Sequence, residues 1–151
     1  MVKDAFKMLL ESPLLLSRNF KLSEFLYSDT AKEKNIDNVP HNYKRFSVVL
    51  ENLVELCNYL EVIRAATGNK PVYITSGFRS VQLNQMVKGI YGSHHILGAA
   101  ADITAKDFDN LINAVEFCYA GSPYVDYEIN LEKRYIHVEL KCPKRDERKS
   151  C

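Results

Sequence analysis

Ser93-His94-His95-Ile96-Leu97-Gly98-Ala99-Ala100-Ala101-Asp102-Ile103 is the stretch on which the reading of this chain turns. Two of the chain's four histidines fall in it, and Asp102 follows inside a run of small apolar residues. A carboxylate in an apolar strand is costly to bury unless it is paired, hydrogen-bonded or bound to a cation. Gly98 and the three alanines let the backbone pass close to whatever fills that space. A divalent cation satisfies imidazole and carboxylate together, and zinc accepts that mixture of nitrogen and oxygen donors. Catalytic zinc takes three protein ligands and keeps one position open, so a third donor is needed.

The third donor is sought in Tyr135-Ile136-His137-Val138-Glu139-Leu140, a segment of period two. Ile136, Val138 and Leu140 share one face, while Tyr135, His137 and Glu139 share the other, where a histidine can point into a cleft. The remaining histidine, His41, follows Pro40 and reads as an exposed residue at a helix start. Taken singly, His137 reads as a plain surface residue, and Asp102 as a buried aspartate satisfied by backbone donors. No general spacing rule for zinc joins His95 to Asp102 across a loop and strand. The residues alone reach a His95/Asp102/His137 zinc site and leave these alternatives open.

Outward from these segments, Val2 to Leu10 reads as a short helix stopped before Pro13. Phe20 to Phe25 reads as an extended entry followed by a helical turn capped by Ser23. After Pro40, Phe46, Val49, Leu50, Leu53, Leu56, Cys57, Leu60 and Ile63 recur at steps of three and four up to Gly68, which predicts the chain's longest helix. Pro71 to Thr75 reads as a strand, and Ser80 caps a helix running through Val87 to Gly89. Ala99 to Thr104 reads as a strand and Asp107 to Tyr119 as an amphipathic helix. Tyr124 to Leu131 and Tyr135 to Lys141 read as two strands around a Glu132-Lys133-Arg134 turn. This order predicts an α+β domain with a small, mostly antiparallel sheet and helices packed on it.

The length, 151 residues, fits one domain, read here as residues 1–141 followed by a charged, flexible tail over 142–151. With 46% hydrophobic and 26% charged residues the chain is an ordinary globular one. A net charge of +1 provides no global field to recruit nucleic acid or an anionic membrane. The apolar runs are too short to cross a bilayer, and no signal peptide is apparent, so synthesis and residence in the cytoplasm are expected. Cys57 and Cys118 read as small core hydrophobes, and the scattered spacing of Cys57, Cys118, Cys142 and Cys151 argues against a disulfide framework or a cysteine metal site.

Ser93-x-His95-x-x-Gly98-x-Ala100-x-Asp102 resembles the Ser-x-His-x-x-Gly-x-Ala-x-Asp signature of the zinc D-Ala-D-Ala carboxypeptidase and L-Ala-D-Glu endopeptidase family, murein peptidases related to the hedgehog domain and to phage endolysins. Phe20-Lys21-Leu22-Ser23-Glu24-Phe25 with Ser28-Asp29-Thr30-Ala31, Thr75-Ser76-Gly77-Phe78-Arg79-Ser80 with Leu83-Asn84, and Tyr135 to Glu139 resemble three further motifs in the family's order. The resemblance runs from about Phe20 to Lys141. It implies a hedgehog-like fold, His95, Asp102 and His137 as zinc ligands, and Arg79 as the residue contacting the substrate carbonyl or carboxylate. A guanidinium aimed into a cleft stabilises a developing oxyanion, and Gly77 is read as permitting a tight turn before it. Ser93 is expected to orient the histidine loop, with Gln82 and Asn84 either touching substrate or lying on a solvated helix face.

One feature departs from the family. Many relatives carry a general-base glutamate three residues before the last histidine, where this chain has Arg134; others carry histidine two before it, where it has Tyr135. Arginine does not deprotonate, and tyrosine's ordinary pKa is about 10. Glu132 at the turn is the first substitute, with Glu139 and Glu128 behind it, and Tyr135 is a candidate donor to the tetrahedral intermediate. The expected function is hydrolysis of a peptide bond in the peptidoglycan stem peptide by a monomeric endolysin-type zinc enzyme, released to the wall on lysis or carried in a virion. The alternatives are a catalytically silent zinc-binding module, virion structural or partner-binding, and a metal-free interaction domain.

Overall fold

A computed structural model describes residues 2–146 of the chain, and side chains from residue 7 onward. In chain order it forms α1 (Val2–Glu11), a small hairpin of β1 (Leu15–Ser17) and β2 (Phe20–Lys21), then α2 (Leu22–Leu26), α3 (Asp29–Glu33) and the long α4 (Tyr43–Ala66). There follow β3 (Tyr73–Ser76), α5 (Val81–Met86), a 3-10 turn (His94–Leu97), β4 (Ala100–Thr104), α6 (Phe108–Tyr119), β5 (Val125–Asn130) and β6 (Tyr135–Leu140). The architecture is α+β, with a four-stranded antiparallel sheet in the order β3-β4-β6-β5.

Helix α4 exists because its apolar residues recur at helical spacing, so that Val49, Leu53, Leu56, Cys57, Leu60 and Ile63 form one buried stripe. Burying each of the leucines contributes roughly 1.5–3 kcal/mol. The helix starts at Tyr43 rather than directly after Pro40, because Asn42 is the residue whose Oδ1 can accept the Arg45 N–H, at 2.8 Å. Helix α2 likewise departs from expectation. Ser23 lies inside it, and Lys21 is the cap, its N–H donated to Glu24 Oε1.

The period-two reading of β6 describes the observed strand: Ile136, Val138 and Leu140 are buried and face the core. On that side Ile103 pairs with Ile136 and Ala101 with Val138, and the apolar layer packs beneath α4 and α6. On the other side β4, β6 and β5 set Asp102, His137 and Glu128 in one row, because Asp102 pairs with His137 and His137 with Glu128. That row belongs to the functional face.

Asn52 falls among the buried residues of α4. Its side-chain amide donates to the carbonyls of Leu97 and Lys144 and accepts the Lys144 N–H at 2.8 Å, so every polar atom is partnered. Chain beyond β6 is thereby held to α4, with Arg45 also paired to Asp146. Residues 147–151 of the expected tail lie outside the described residues. Cys57 is buried and free and Cys118 half-buried and free, whereas Cys142 is disulfide-bonded, a cross-link that the scattered spacing did not reveal. Among the described residues no helix is long and apolar enough to cross a membrane.

Candidate functional site

Three local devices aim the histidine of the first motif. Ser93 caps the 3-10 turn, its Oγ accepting the His95 N–H at 3.3 Å. Gly98 ends the turn with φ of +69°, a left-handed conformation in which a side chain is strained. A Cβ there would also meet Val49 Cγ1 and O at 2.8 Å, so α4 is what the glycine lets the backbone approach. Finally, His95 Nδ1 lies 2.7 Å from the Gly77 carbonyl, which fixes Nδ1–H as donor and turns Nε2 toward Asp102.

Asp102 Oδ1 then lies 3.4 Å from His95 Nε2 and 2.8 Å from His137 Nδ1. One donor atom from each residue falls within 4.8 Å of the others. Tetrahedral zinc with ligands near 2.1 Å sets its donors about 3.4 Å apart, so these residues fit such an ion in both chemistry and spacing. Electrostatics point the same way. Burial alone would push the Asp102 carboxyl up, but His137 and His95 hold it far below the usual carboxylate range. Burial would push His137 down, yet hydrogen bonds to Asp102 and Glu139 raise it to about 9. The buried carboxylate thus calls for positive charge where the three donors meet.

Glu139 supports this cluster from behind His137. Its Oε1 accepts from His137 Nε2 at 2.7 Å, and its Oε2 lies 2.6 Å from His94 Nδ1, a close contact without hydrogen-bond alignment. His137 and His94 together hold the Glu139 carboxyl down to about 2. A carboxylate on the far nitrogen of a ligating histidine orients the ring and raises its basicity.

Arg79 braces Asp102 from the other side. Its Nε donates to Ser76 Oγ at 3.1 Å, Nη1 to Asn84 Oδ1 at 3.3 Å, and Nη2 lies 3.5 Å from Asp102 Oδ2. Asn38 pins the backbone on both sides of it, donating to the Phe78 carbonyl and accepting the Ser80 N–H. Asn84 is buried rather than solvated, and Gln82 is exposed away from the cleft. Gly77 has no left-handed backbone; glycine is required because a Cβ would come within 2.6 Å of the Phe25 backbone. The tight turn expected there is a close approach instead.

These groups line a cleft of about 370 Å³ that also includes Ser93, Tyr135, Glu128 and Asn130. A larger groove, about 1270 Å³, runs between the N-terminal helices and β3 and shares no residue with it. Among the described residues the group of side chains that could hold a metal ion, His95, Asp102 and His137, lies in the smaller cleft. Of the residues singled out in the sequence, the fold brings together His95, Asp102, His137, Arg79, Ser93, Glu128, Tyr135 and Glu139. Glu132 is not among them: the Asn130–Tyr135 pair closes the hairpin before it, leaving it exposed in the turn. Arg134, at φ of +56°, sends its guanidinium over the Phe108 ring, 5.2 Å from the centroid, instead of into the cleft. His94 and Asn38 carry no periodic signal, because their roles come from contacts across the fold.

Comparison with known proteins agrees with this geometry. The Streptomyces albus G protein named zinc D-Ala-D-Ala carboxypeptidase is 46% identical over 46 residues, a match spanning 30% of this chain and 18% of that relative. The profile of the Peptidase M15 family matches residues 18–139, a span that contains all three candidate ligands and Arg79 beside Asp102. The chain belongs to the Peptidase M15 family.

Proposed function

We propose that this chain is a zinc-dependent peptidase that hydrolyses a peptide bond in the stem peptide of bacterial peptidoglycan. The observation that carries the reading is the convergence of His95, Asp102 and His137 on one point at the floor of a polar cleft. Family membership and the name of the Streptomyces relative, a zinc D-Ala-D-Ala carboxypeptidase, support the substrate class. His95, Asp102 and His137 would hold the zinc, which would polarise a carbonyl and make water nucleophilic at neutral pH. The chain's own residues do the rest. His95 and His137 are held in one orientation by Gly77 and Glu139, so little reorganisation accompanies binding. Arg79 sits against Asp102 and lines the cleft, where its guanidinium can hold an oxyanion or a substrate carboxylate. Tyr135 offers a phenolic donor from the same wall.

Zinc content of protein purified without added metal, compared with His95→Ala and Asp102→Ala, tests the site; the expected result is about one zinc per chain, lost in both variants. Unchanged content in the variants would remove the assignment. Release of free amino groups from purified peptidoglycan tests the activity, and an endolysin role would show as lysis of cells exposed to the protein. The second reading is a zinc-binding module without activity, serving as a virion structural or partner-binding protein. It is favoured by Arg134 and Tyr135 at the positions where relatives keep a base, and by Glu132 exposed outside the cleft. Full zinc with no amine release would select it.

A further inference from the structure

We propose that Glu128 is the proton-transfer residue of the hydrolysis inferred above, an assignment that rests on that peptidase reading. The family's usual base positions are filled by Arg134, whose guanidinium lies over Phe108, and by Tyr135. Three glutamates are near in sequence, and the fold separates them. Glu132 is exposed in the turn beyond the last strand pair. Glu139 lines the cleft, but one of its oxygens holds His137 Nε2 and the other faces His94 Nδ1, so its carboxylate is committed to orienting a ligand. Glu128 lines the same cleft and pairs with His137 across β5 and β6.

Residues directly opposite on antiparallel strands project from the same face with Cβ atoms about 4.5–5.5 Å apart. Asp102, His137 and Glu128 therefore stand side by side, with the cluster at one end of the row and a glutamate at the other. Among the described residues no hydrogen bond or ion pair engages the Glu128 carboxylate, so it is available to a reactant. It takes a proton from the attacking water as the water oxygen bonds to the scissile carbonyl carbon. The same proton passes to the amide nitrogen as the carbon–nitrogen bond breaks, which restores the carboxylate and leaves a new carboxyl and a new amine. Metal binding, the Asp102 brace and the cross-strand pairing do not depend on this side chain.

The test compares wild type with Glu128→Gln and Glu128→Asp on disaccharide-peptide fragments of purified peptidoglycan, measuring kcat, KM and bound zinc. The glutamine variant is expected to retain its zinc and a KM within a few-fold, with kcat reduced about 100- to 10,000-fold. The aspartate variant, which keeps the acid on a shorter arm, is expected to recover part of that loss. A raised KM at unchanged kcat would make Glu128 a substrate-binding carboxylate and overturn the assignment, as would loss of zinc. Turnover retained in Glu128→Gln and abolished in Glu132→Gln would move the role to the turn. Wild type carrying full zinc yet releasing no amine overturns the peptidase reading and this assignment together, whereas active wild type with active Glu128→Gln overturns only the assignment.

Discussion

Glu139 engages a histidine with each carboxylate oxygen, His137 through Oε1 and His94 through Oε2. A residue so placed acts on the metal through its ligand, and removing such a partner typically costs 10–100-fold in metal affinity. Glu139→Ala is therefore expected to weaken zinc binding by about 10–100-fold, and Glu139→Gln, which can still accept from His137 Nε2, by less. Competition with a chromophoric chelator measures both, and an unchanged affinity in the alanine variant would deny Glu139 its positioning role. Residue identity announced this site unevenly. Asp102 stood out because a carboxylate among alanines needs an explanation, and the alternation around His137 put it on a polar face. His94 did not stand out, since nothing in its neighbours records that β6 will bring Glu139 within 2.6 Å of it.

At the level of elements, α4 is the support on which the cleft is assembled. The Gly98 turn packs on Val49, Asn52 ties down Leu97 and Lys144, and Glu61 clasps the β1–β2 turn. Glu61 accepts the Asn19 N–H at 2.8 Å and the Asn19 side-chain amide at 2.7 Å. Partial burial pulls its carboxyl up, but Asn19, Ser17 and Arg64 together hold it below its ordinary value. A carboxyl depressed in the folded state contributes stability that is fully present above the unfolded pKa, about 4.3, and is lost as pH falls through the lower folded value. The clasp lies near the surface, so its contribution is below about 1 kcal/mol. Thermal melts of wild type and Glu61→Gln should thus differ by a constant, small amount from pH 7 to about 5 and converge below about pH 4. A gap that widens on acidification would contradict the clasp. The long helix and β6 were legible because their periods of 3.6 and 2 extend over many residues. The 3-10 turn and the short strand β1 were not, being too brief for a period to register and held mainly by what packs on them.

In the whole molecule the three candidate ligands come from separate pieces of chain: the 3-10 turn, β4 and β6. An ion that binds all three binds only the folded state, so it stabilises the fold by mass action. Free zinc at 100 times its dissociation constant is expected to add about 2.7 kcal/mol, which for a chain of this size raises Tm by roughly 5–10 °C. Differential scanning calorimetry with zinc and with chelator measures the shift, and Asp102→Ala should abolish it. A shift that survives in that variant would place the stabilising ion elsewhere.

By itself the sequence determined the α+β class, the polar and apolar faces of β6, the buried carboxylate in need of a partner and the motifs that mark the family. Those properties are local, written in periodicity, in residue chemistry and in short spacings. Only the tertiary structure decided that Glu139 and Glu128 stand beside the candidate ligands while Glu132 does not, that Arg79 braces Asp102, and that Arg134 turns away onto Phe108. Each of these depends on strand register, where a shift of one residue sends a side chain to the opposite face of the sheet. Register is settled by the packing of the apolar layer against α4 and α6, and no stretch of sequence near the site encodes it alone.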